Sequence, residues 1–181
     1  MTADGETILS FGDMKRETFP RSAAKWIQGL ELVLCGAADA LNLSDEQLAI
    51  ACASHNGEHE HVTLVTQWLK QIGLDVEDLE CGVTLPFTET VRLQLSHDHV
   101  TATQLHHCCS GKHTGMLSVC AHVGWPTLGY TQYDHPLQVA IRGHISTIFN
   151  IDADSLDYAS DGCSVPTYAM PLDTMALGYA K

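Results

Sequence analysis

Basic residues are scarce in this chain. Its 181 residues include 9 Lys and Arg against 22 Asp and Glu, which gives a formal net charge of −13. A surface this acidic repels nucleic acid and anionic membranes at moderate salt. The sequence therefore predicts neither a nucleic-acid partner nor a membrane partner.

Long apolar runs are missing too. No segment approaches the roughly 20 apolar residues that cross a bilayer, and the first residues lack the basic start and apolar stretch of a signal peptide. The sequence also has no internal repeat, no low-complexity segment and no Gly/Ser/Pro linker. These absences favour a cytoplasmic protein whose residues 1–181 belong to a single domain.

Cysteines are present, but they do not form a disulfide framework. There are seven, an odd number, and their spacing is irregular. This favours a reducing compartment with free or metal-bound thiols.

Hydrophobic periodicity predicts a mostly helical chain. We expect one long helix from Ser22 to about Leu41, with an apolar stripe that faces the core. The stripe is formed by Trp26, Leu30, Leu34 and Ala38. A capping box at Ser44 opens a short helix through Cys52.

The remaining elements are predicted from apolar spacing and from breakers. Further helices are expected over about 58–72, 114–123 and 135–149, and from Leu172 onward. Residues 81–109 and 150–171 show no clear period, and we expect loops, short helices and strands there. The run from Val91 to Leu95 favours a β-strand.

Ser22 and Lys25 form an S-x-x-K pair at the start of the first predicted helix. Residues three apart lie on one helical face, so the hydroxyl and the amine can meet. A lysine held neutral can take the proton of a nucleophilic serine. The alternative is a helix cap beside a solvated lysine. Ser54, in an S-x-N triplet within a loop, adds a second hydroxyl that could pass a proton, although it could also be only a loop residue.

Two cysteine segments raise the question of a metal. Cys109 and Lys112 lie at a predicted helix start, and Cys163 follows a turn at Asp161. If the segments converge, two thiolates and a third donor could bind zinc, although buried cysteines more often serve as small apolar residues. The spacing of His55, His59 and His61 does not match the zinc motif H-E-x-x-H. The remaining histidines considered are expected in loops or at the surface; these are His97, His99, His106 and His107.

Several of these segments occur together in the order of one family. They are the R-S-A-A-K segment at Arg21, S-H-N-G-E at Ser54, C-S-G-K-H-T-G at Cys109, H-P at His135 and D-G-C at Asp161. The chain resembles the L-asparaginase II family of rhizobial type, and the C-S-G-K-H run is the most specific part of the match. The resemblance covers residues from about Asp13 to Lys181.

The resemblance implies a fold and a reaction. The expected fold is α/β (α+β) and similar to that of serine β-lactamases, with helices packed on an antiparallel sheet. The expected reaction is hydrolysis of L-asparagine to aspartate and ammonia through an acyl-enzyme on Ser22, with Lys25 as general base and Ser54 completing a Ser-Lys-Ser relay.

The resemblance also implies further residues of the site. Zinc would be held by Cys109, Lys112 and Cys163. Arg21, His113 and Asp161 match positions near the substrate; by charge, Arg21 suits its α-carboxylate and Asp161 its α-ammonium group.

The sequence departs from the family in length and in single residues. Asn56 stands where family members usually have a small residue, and Ser164 stands where they have Gly. The family's C-terminal half, including a Lys-x-Gly strand, has no counterpart here. We therefore expect an incomplete domain that is completed by another chain or forms a homo-oligomer.

Two other functions remain open at this stage. One is a penicillin-recognising serine hydrolase, which the S-x-N triplet favours. The other is a zinc-binding module without activity.

Overall fold

The chain folds into helices that surround one central helix. The computed structural model describes all 181 residues. Its α-helices are α1 (Lys25–Leu34), α2 (Ala37–Ala40), α3 (Asp45–Ala51), α4 (His59–Gln71), α5 (Glu89–His97), α6 (Ser110–Val123), α7 (Pro136–Phe149) and α8 (Leu172–Ala180). None of them combines the length and the apolar character that a membrane span requires.

Helix α6 is the central element. Every residue from Ser110 to Cys120 is buried, because α1, α3, α4 and α7 pack around this helix. Gly111 permits the close approach of α3: a Cβ atom there would lie 2.7 Å from the backbone oxygen of Ile50. The first turn of α6 therefore carries Lys112 and His113 into the interior of the protein.

The β-structure consists of two short antiparallel ladders. Strand β1 (Glu17–Thr18) pairs with β4 (Met170–Pro171), and β2 (Tyr158–Ser160) pairs with β3 (Pro166–Tyr168). The turn between β2 and β3 contains Asp161 and Cys163. The architecture is helix-rich with small antiparallel sheets, which is consistent with the expected α/β class.

Local signals at the helix ends are confirmed. Ser44 and Gln47 form the predicted capping box of α3, with hydrogen bonds of 3.3 and 2.8 Å. His135 caps α7 by accepting a hydrogen bond from the Leu137 amide, and Pro136 is its first residue. Helix α4 ends before Gly73, whose φ of 74° is the left-handed conformation that favours glycine.

The prediction of one continuous helix from Ser22 to Leu41 is wrong. The chain forms a 3-10 turn over Arg21–Ala24, then α1, and it breaks at Gly36, where φ is 82°. The predicted stripe is wrong at two of its four positions, because Trp26 is 39% exposed and Leu34 is 65% exposed. Ile27 and Leu32 form the buried face instead. The other two members of the stripe do reach the core: Ala38 is buried there, and Leu30 packs against it.

The β-favouring run from Val91 to Leu95 also differs from expectation. It lies inside α5, which has no buried residue. The segment before α5 exposes further apolar side chains, including Leu85 and Phe87. Amphipathic spacing and β-propensity compete in this run, and the helix forms although none of its residues is buried.

Candidate active site

Ser22, Ser54 and Lys25 form a continuous chain of polar atoms. Lys25 Nζ donates a hydrogen bond of 2.7 Å to Ser54 Oγ, and Ser54 Oγ donates one of 3.3 Å to Ser22 Oγ. Ser22 lies in the 3-10 turn Arg21–Ala24, and Lys25 is the first residue of α1. Ser22 and Lys25 have no direct hydrogen bond, so Ser54 connects them.

Backbone carbonyl groups hold the Lys25 side chain in place. Its Nζ donates to the backbone oxygens of Ala53 at 2.7 Å and Cys108 at 3.5 Å. Lys25 is 2% exposed and forms no ion pair. A neutral amine can donate to both carbonyl groups and still present its lone pair to Ser54 Oγ.

Arg21 and Asp161 lie next to the serine chain as an ion pair. Asp161 Oδ1 is 2.8 Å from Arg21 Nη2 and accepts a hydrogen bond of 3.0 Å from Nε. Burial would raise the pKa of Asp161, but the Gly162 amide and Arg21 outweigh it and leave that pKa lowered. The Arg21 side chain is 68% exposed, so it can separate from Asp161 without leaving an unpaired buried charge.

A cleft of about 230 Å³ joins these groups to the cysteines. Its lining includes Arg21, Ser22, Ser54, Cys109, Asp161 and Cys163 from the predicted site, and also Thr84, Phe87, His107, Cys108 and Gly162. Two larger cavities of about 450 and 480 Å³ lie along α4. Ser54 is the one residue of the cleft lining that also lines either of them.

The remaining predicted site residues lie behind the wall of the cleft. Lys25, Lys112 and His113 are each at most 3% exposed. His113 does not line the cleft. Its Nδ1 is 2.6 Å from the hydroxyl of Tyr130, and burial lowers its pKa to about 4.

Lys112 and Cys163 form a buried pair that suits a metal ion. Lys112 Nζ is 3.0 Å from Cys163 Sγ, and this sulfur is its one hydrogen-bond partner. A lysine 3% exposed and without a carboxylate partner is costly as an isolated cation. A thiolate partner, or a metal that takes the neutral amine as ligand, would remove that cost. The donor set of Cys109, Lys112 and Cys163 therefore fits zinc in its chemistry.

His107 and Cys108 were missed as site residues by sequence reasoning. His107, expected in a loop or at the surface, is 4% exposed, and its Nδ1 accepts a hydrogen bond of 3.0 Å from the Cys109 amide. Cys108 lines the cleft, and its hydrogen bond with Cys109 lowers the pKa of the Cys108 thiol to about 6. The pair of adjacent cysteines before a buried helix was the one signal in the sequence.

The cleft holds two serine hydroxyls, and the hydroxyl of Ser54 contacts a buried lysine behind its wall. A hydroxyl with a base nearby is the arrangement that nucleophilic serine chemistry needs. The sequence model of the L-asparaginase II family matches residues 1–181. The chain therefore belongs to the L-asparaginase II family, which at the level of the family implies an asparagine amidohydrolase. A comparison with curated proteins found no match.

Proposed function

We propose that this protein hydrolyses L-asparagine to L-aspartate and ammonia through an acyl-enzyme on Ser22. The observation that carries the proposal is the Ser22–Ser54–Lys25 chain at the edge of the 230 Å³ cleft. Family membership supplies the substrate class, since the family implies an asparagine amidohydrolase.

The polar chain supports a two-step proton path. Ser22 would pass its proton to Ser54 Oγ as its own oxygen attacks the side-chain amide carbon of asparagine, and Ser54 would pass its proton to Lys25 Nζ. The tetrahedral intermediate then collapses as the leaving nitrogen takes a proton back along the same path. Ammonia leaves, and Ser22 carries a β-aspartyl ester.

Water completes the reaction through the same groups. Its proton would pass by way of Ser54 to Lys25 as its oxygen attacks the ester, and Ser22 recovers its proton when aspartate leaves. The chemistry needs Lys25 neutral at the start of each half-reaction, and its carbonyl partners Ala53 and Cys108 are compatible with a neutral amine.

Arg21 and Asp161 suit the two charges of an amino acid. The substrate's α-carboxylate would pair with Arg21, and its α-ammonium group with Asp161. In the structure the two side chains bind each other at 2.8 Å. Substrate would insert between them and exchange one ion pair for two. His113 lies too deep to touch this position, and we assign it to support of the wall behind Cys163.

We further propose that Cys109, Lys112 and Cys163 hold zinc. A bound zinc ion would stabilise the thiolates and help to orient the substrate. The proton path above uses only Ser22, Ser54 and Lys25.

Two further proposals concern the fold family of the helical part and the association of the chain. We propose that the helices around α6 correspond to the helical part of a serine β-lactamase-like fold. We propose association with a second copy or with another chain, supported by exposed apolar side chains such as Leu85 and Phe87. Sedimentation at two protein concentrations tests this, and a monomer at both would contradict it.

The proposed reaction is tested by ammonia release from L-asparagine. We expect turnover by the unmodified chain, none above background for Ser22→Ala, and unchanged turnover for Ser96→Ala, since Ser96 is an exposed serine on α5 outside the cleft. Nitrocefin turnover without ammonia release would favour a penicillin-recognising hydrolase. Bound zinc with no Ser22-dependent turnover of either substrate would favour the zinc-binding module without activity.

A further inference from the structure

Backbone contacts on both sides of Ser54 hold its loop in place. The Ala53 carbonyl accepts the 2.7 Å hydrogen bond from Lys25 Nζ, and the His55 amide donates one of 3.1 Å to the carbonyl of Cys108. Ser54 itself is exposed. The position of its hydroxyl therefore depends on how firmly this backbone is held.

The His55 ring ties the same loop to the start of α6. The residue is 5% exposed, its Nε2 lies 2.8 Å from Ser110 Oγ, and its Nδ1 accepts a hydrogen bond of 3.0 Å from the Gly57 amide. Gly57 has a φ of 69°, and a Cβ atom there would lie 2.9 Å from the backbone oxygen of His106. The loop thus lies directly against the segment that leads into α6.

The hydrogen-bond partners determine which ring nitrogen carries the proton. Ser110 Oγ donates its own proton to the Leu105 carbonyl at 2.9 Å, so it accepts from His55 Nε2–H. The Gly57 amide needs an unprotonated Nδ1 as acceptor. Both ring nitrogens are therefore occupied in the neutral Nε2–H form, and neither is free to act as an acid or a base in the reaction.

An open cavity lies on the other side of this loop. The cavity has a volume of about 450 Å³, and its lining includes Ser54, His55 and Asn56. Because protein does not fill this space, the loop can shift toward it. The bonds of the His55 ring pull from the opposite side and oppose such a shift.

We propose that His55 is a positioning residue for Ser54: its ring anchors the loop to α6 and so keeps Ser54 Oγ between Lys25 and Ser22. The inference rests on the proposed reaction, in which Ser54 passes the proton. The two hydrogen bonds of Ser54, 2.7 and 3.3 Å long, would lengthen if the loop moved. A displacement of about 1 Å in a reacting group can cost about 10²-fold in rate.

Two substitutions separate the contributions of the two ring nitrogens. In His55→Asn the side-chain oxygen can still accept from the Gly57 amide, but the shorter side chain does not reach Ser110. In His55→Gln the amide nitrogen can reach Ser110 Oγ and donate to it. We expect His55→Asn to lower kcat by about 10–100-fold with little change in KM, and His55→Gln to recover much of that loss.

The control is the same substitution at an exposed histidine of α4. His59→Asn should leave both constants unchanged. Ser110→Ala removes the acceptor of the ring, so it should lower kcat as His55→Asn does, and the double variant should lose little more than either single one. An unchanged kcat in His55→Asn, or equal losses in His55→Asn and His55→Gln, would overturn the proposal.

Amide exchange tests the anchor without any turnover. The His55 amide, bound to the Cys108 carbonyl, should exchange about 2–10-fold faster in Ser110→Ala, which corresponds to the loss of one hydrogen bond. His59→Asn should leave this rate unchanged. Equal exchange in Ser110→Ala and the unmodified chain would overturn the proposal.

Nitrogen-15 NMR of the unmodified chain tests the ring directly. We expect the neutral Nε2–H form of His55 at pH 7, and a proton on Nδ1 instead would overturn the proposal. Ammonia release that persists in Ser22→Ala would overturn the proposed reaction. The exchange and NMR measurements would still decide whether the ring anchors the loop, so the two failures can be told apart.

Discussion

Replacement of Ser54 by alanine tests the proton path. The substitution removes the oxygen that lies 2.7 Å from Lys25 Nζ and 3.3 Å from Ser22 Oγ. Lys25 and Ser22 have no direct hydrogen bond, so the nucleophile would lose its connection to the base. We expect the chemical step to slow while the substrate still binds, because Arg21 and Asp161 are unchanged.

The size of the effect follows from the role of a general base. Such a group contributes about 10²–10⁴-fold to a rate, or about 3–5 kcal/mol of transition-state stabilisation. Because Ser54 Oγ is a hydrogen-bond partner of the buried Lys25, its removal should also lower the free energy of unfolding, by about 1–3 kcal/mol. The expected result is a fall of kcat by about 10²–10⁴-fold with little change in KM.

Steady-state ammonia release gives both constants, and urea denaturation gives the stability. Ser96→Ala is the control, since it removes an exposed hydroxyl outside the cleft. A fall of kcat below about tenfold in Ser54→Ala would refute the path, because direct transfer from Ser22 to Lys25 would then suffice.

Three further predictions concern binding and stability. Arg21→Gln should lower kcat/KM for asparagine by about 10–150-fold through loss of a charged hydrogen bond, measured by the same assay. Ser164→Gly should raise the free energy of unfolding by about 1 kcal/mol in thermal denaturation, because Ser164 has a φ of 72°. His55 stays neutral in the folded chain, since burial lowers its pKa from 6.5 to about 4. As the pH falls, the unfolded chain takes up this proton before the folded chain does, so the free energy of unfolding should fall by about 2 kcal/mol between pH 7 and 5, as measured by urea denaturation. The fall should be smaller in His55→Asn, whose amide oxygen can still accept a hydrogen bond from the Gly57 amide.

Each of these three can fail in a specific way. An unchanged kcat/KM in Arg21→Gln would remove Arg21 from substrate binding. A destabilised Ser164→Gly would mean that the serine side chain stabilises its turn by more than the backbone strain costs. An equal pH dependence in His55→Asn would assign the lost stability to other groups.

The helix ends could be predicted because their signals are local. The capping box at Ser44 and the proline at the start of α7 act within one helical turn, and the structure has both. The break at Gly36 could not be inferred from apolar spacing, because α2 resumes the helix directly after it. Trp26 is partly exposed, and its ring lies 6.0 Å from that of Tyr179 on α8, a contact that the spacing within α1 does not reveal.

The sequence predicts candidate residues for the site but not the contacts between them. Motifs identified Ser22, Ser54 and Lys25, but only the fold places Ser54 between the other two. The pair of Arg21 and Asp161 joins residues 140 positions apart. Cys108 was overlooked because a sequence does not show whether adjacent cysteines point to the same cleft.

The central claim is that Ser22 becomes acylated by asparagine. Acid quench of the unmodified chain during turnover, followed by peptide mass spectrometry, tests it most directly, with Ser22→Ala as the control. The account predicts one β-aspartyl group on the peptide that contains Ser22 and none in the variant. Ammonia release that persists in Ser22→Ala, or an aspartyl group on another residue, would contradict it.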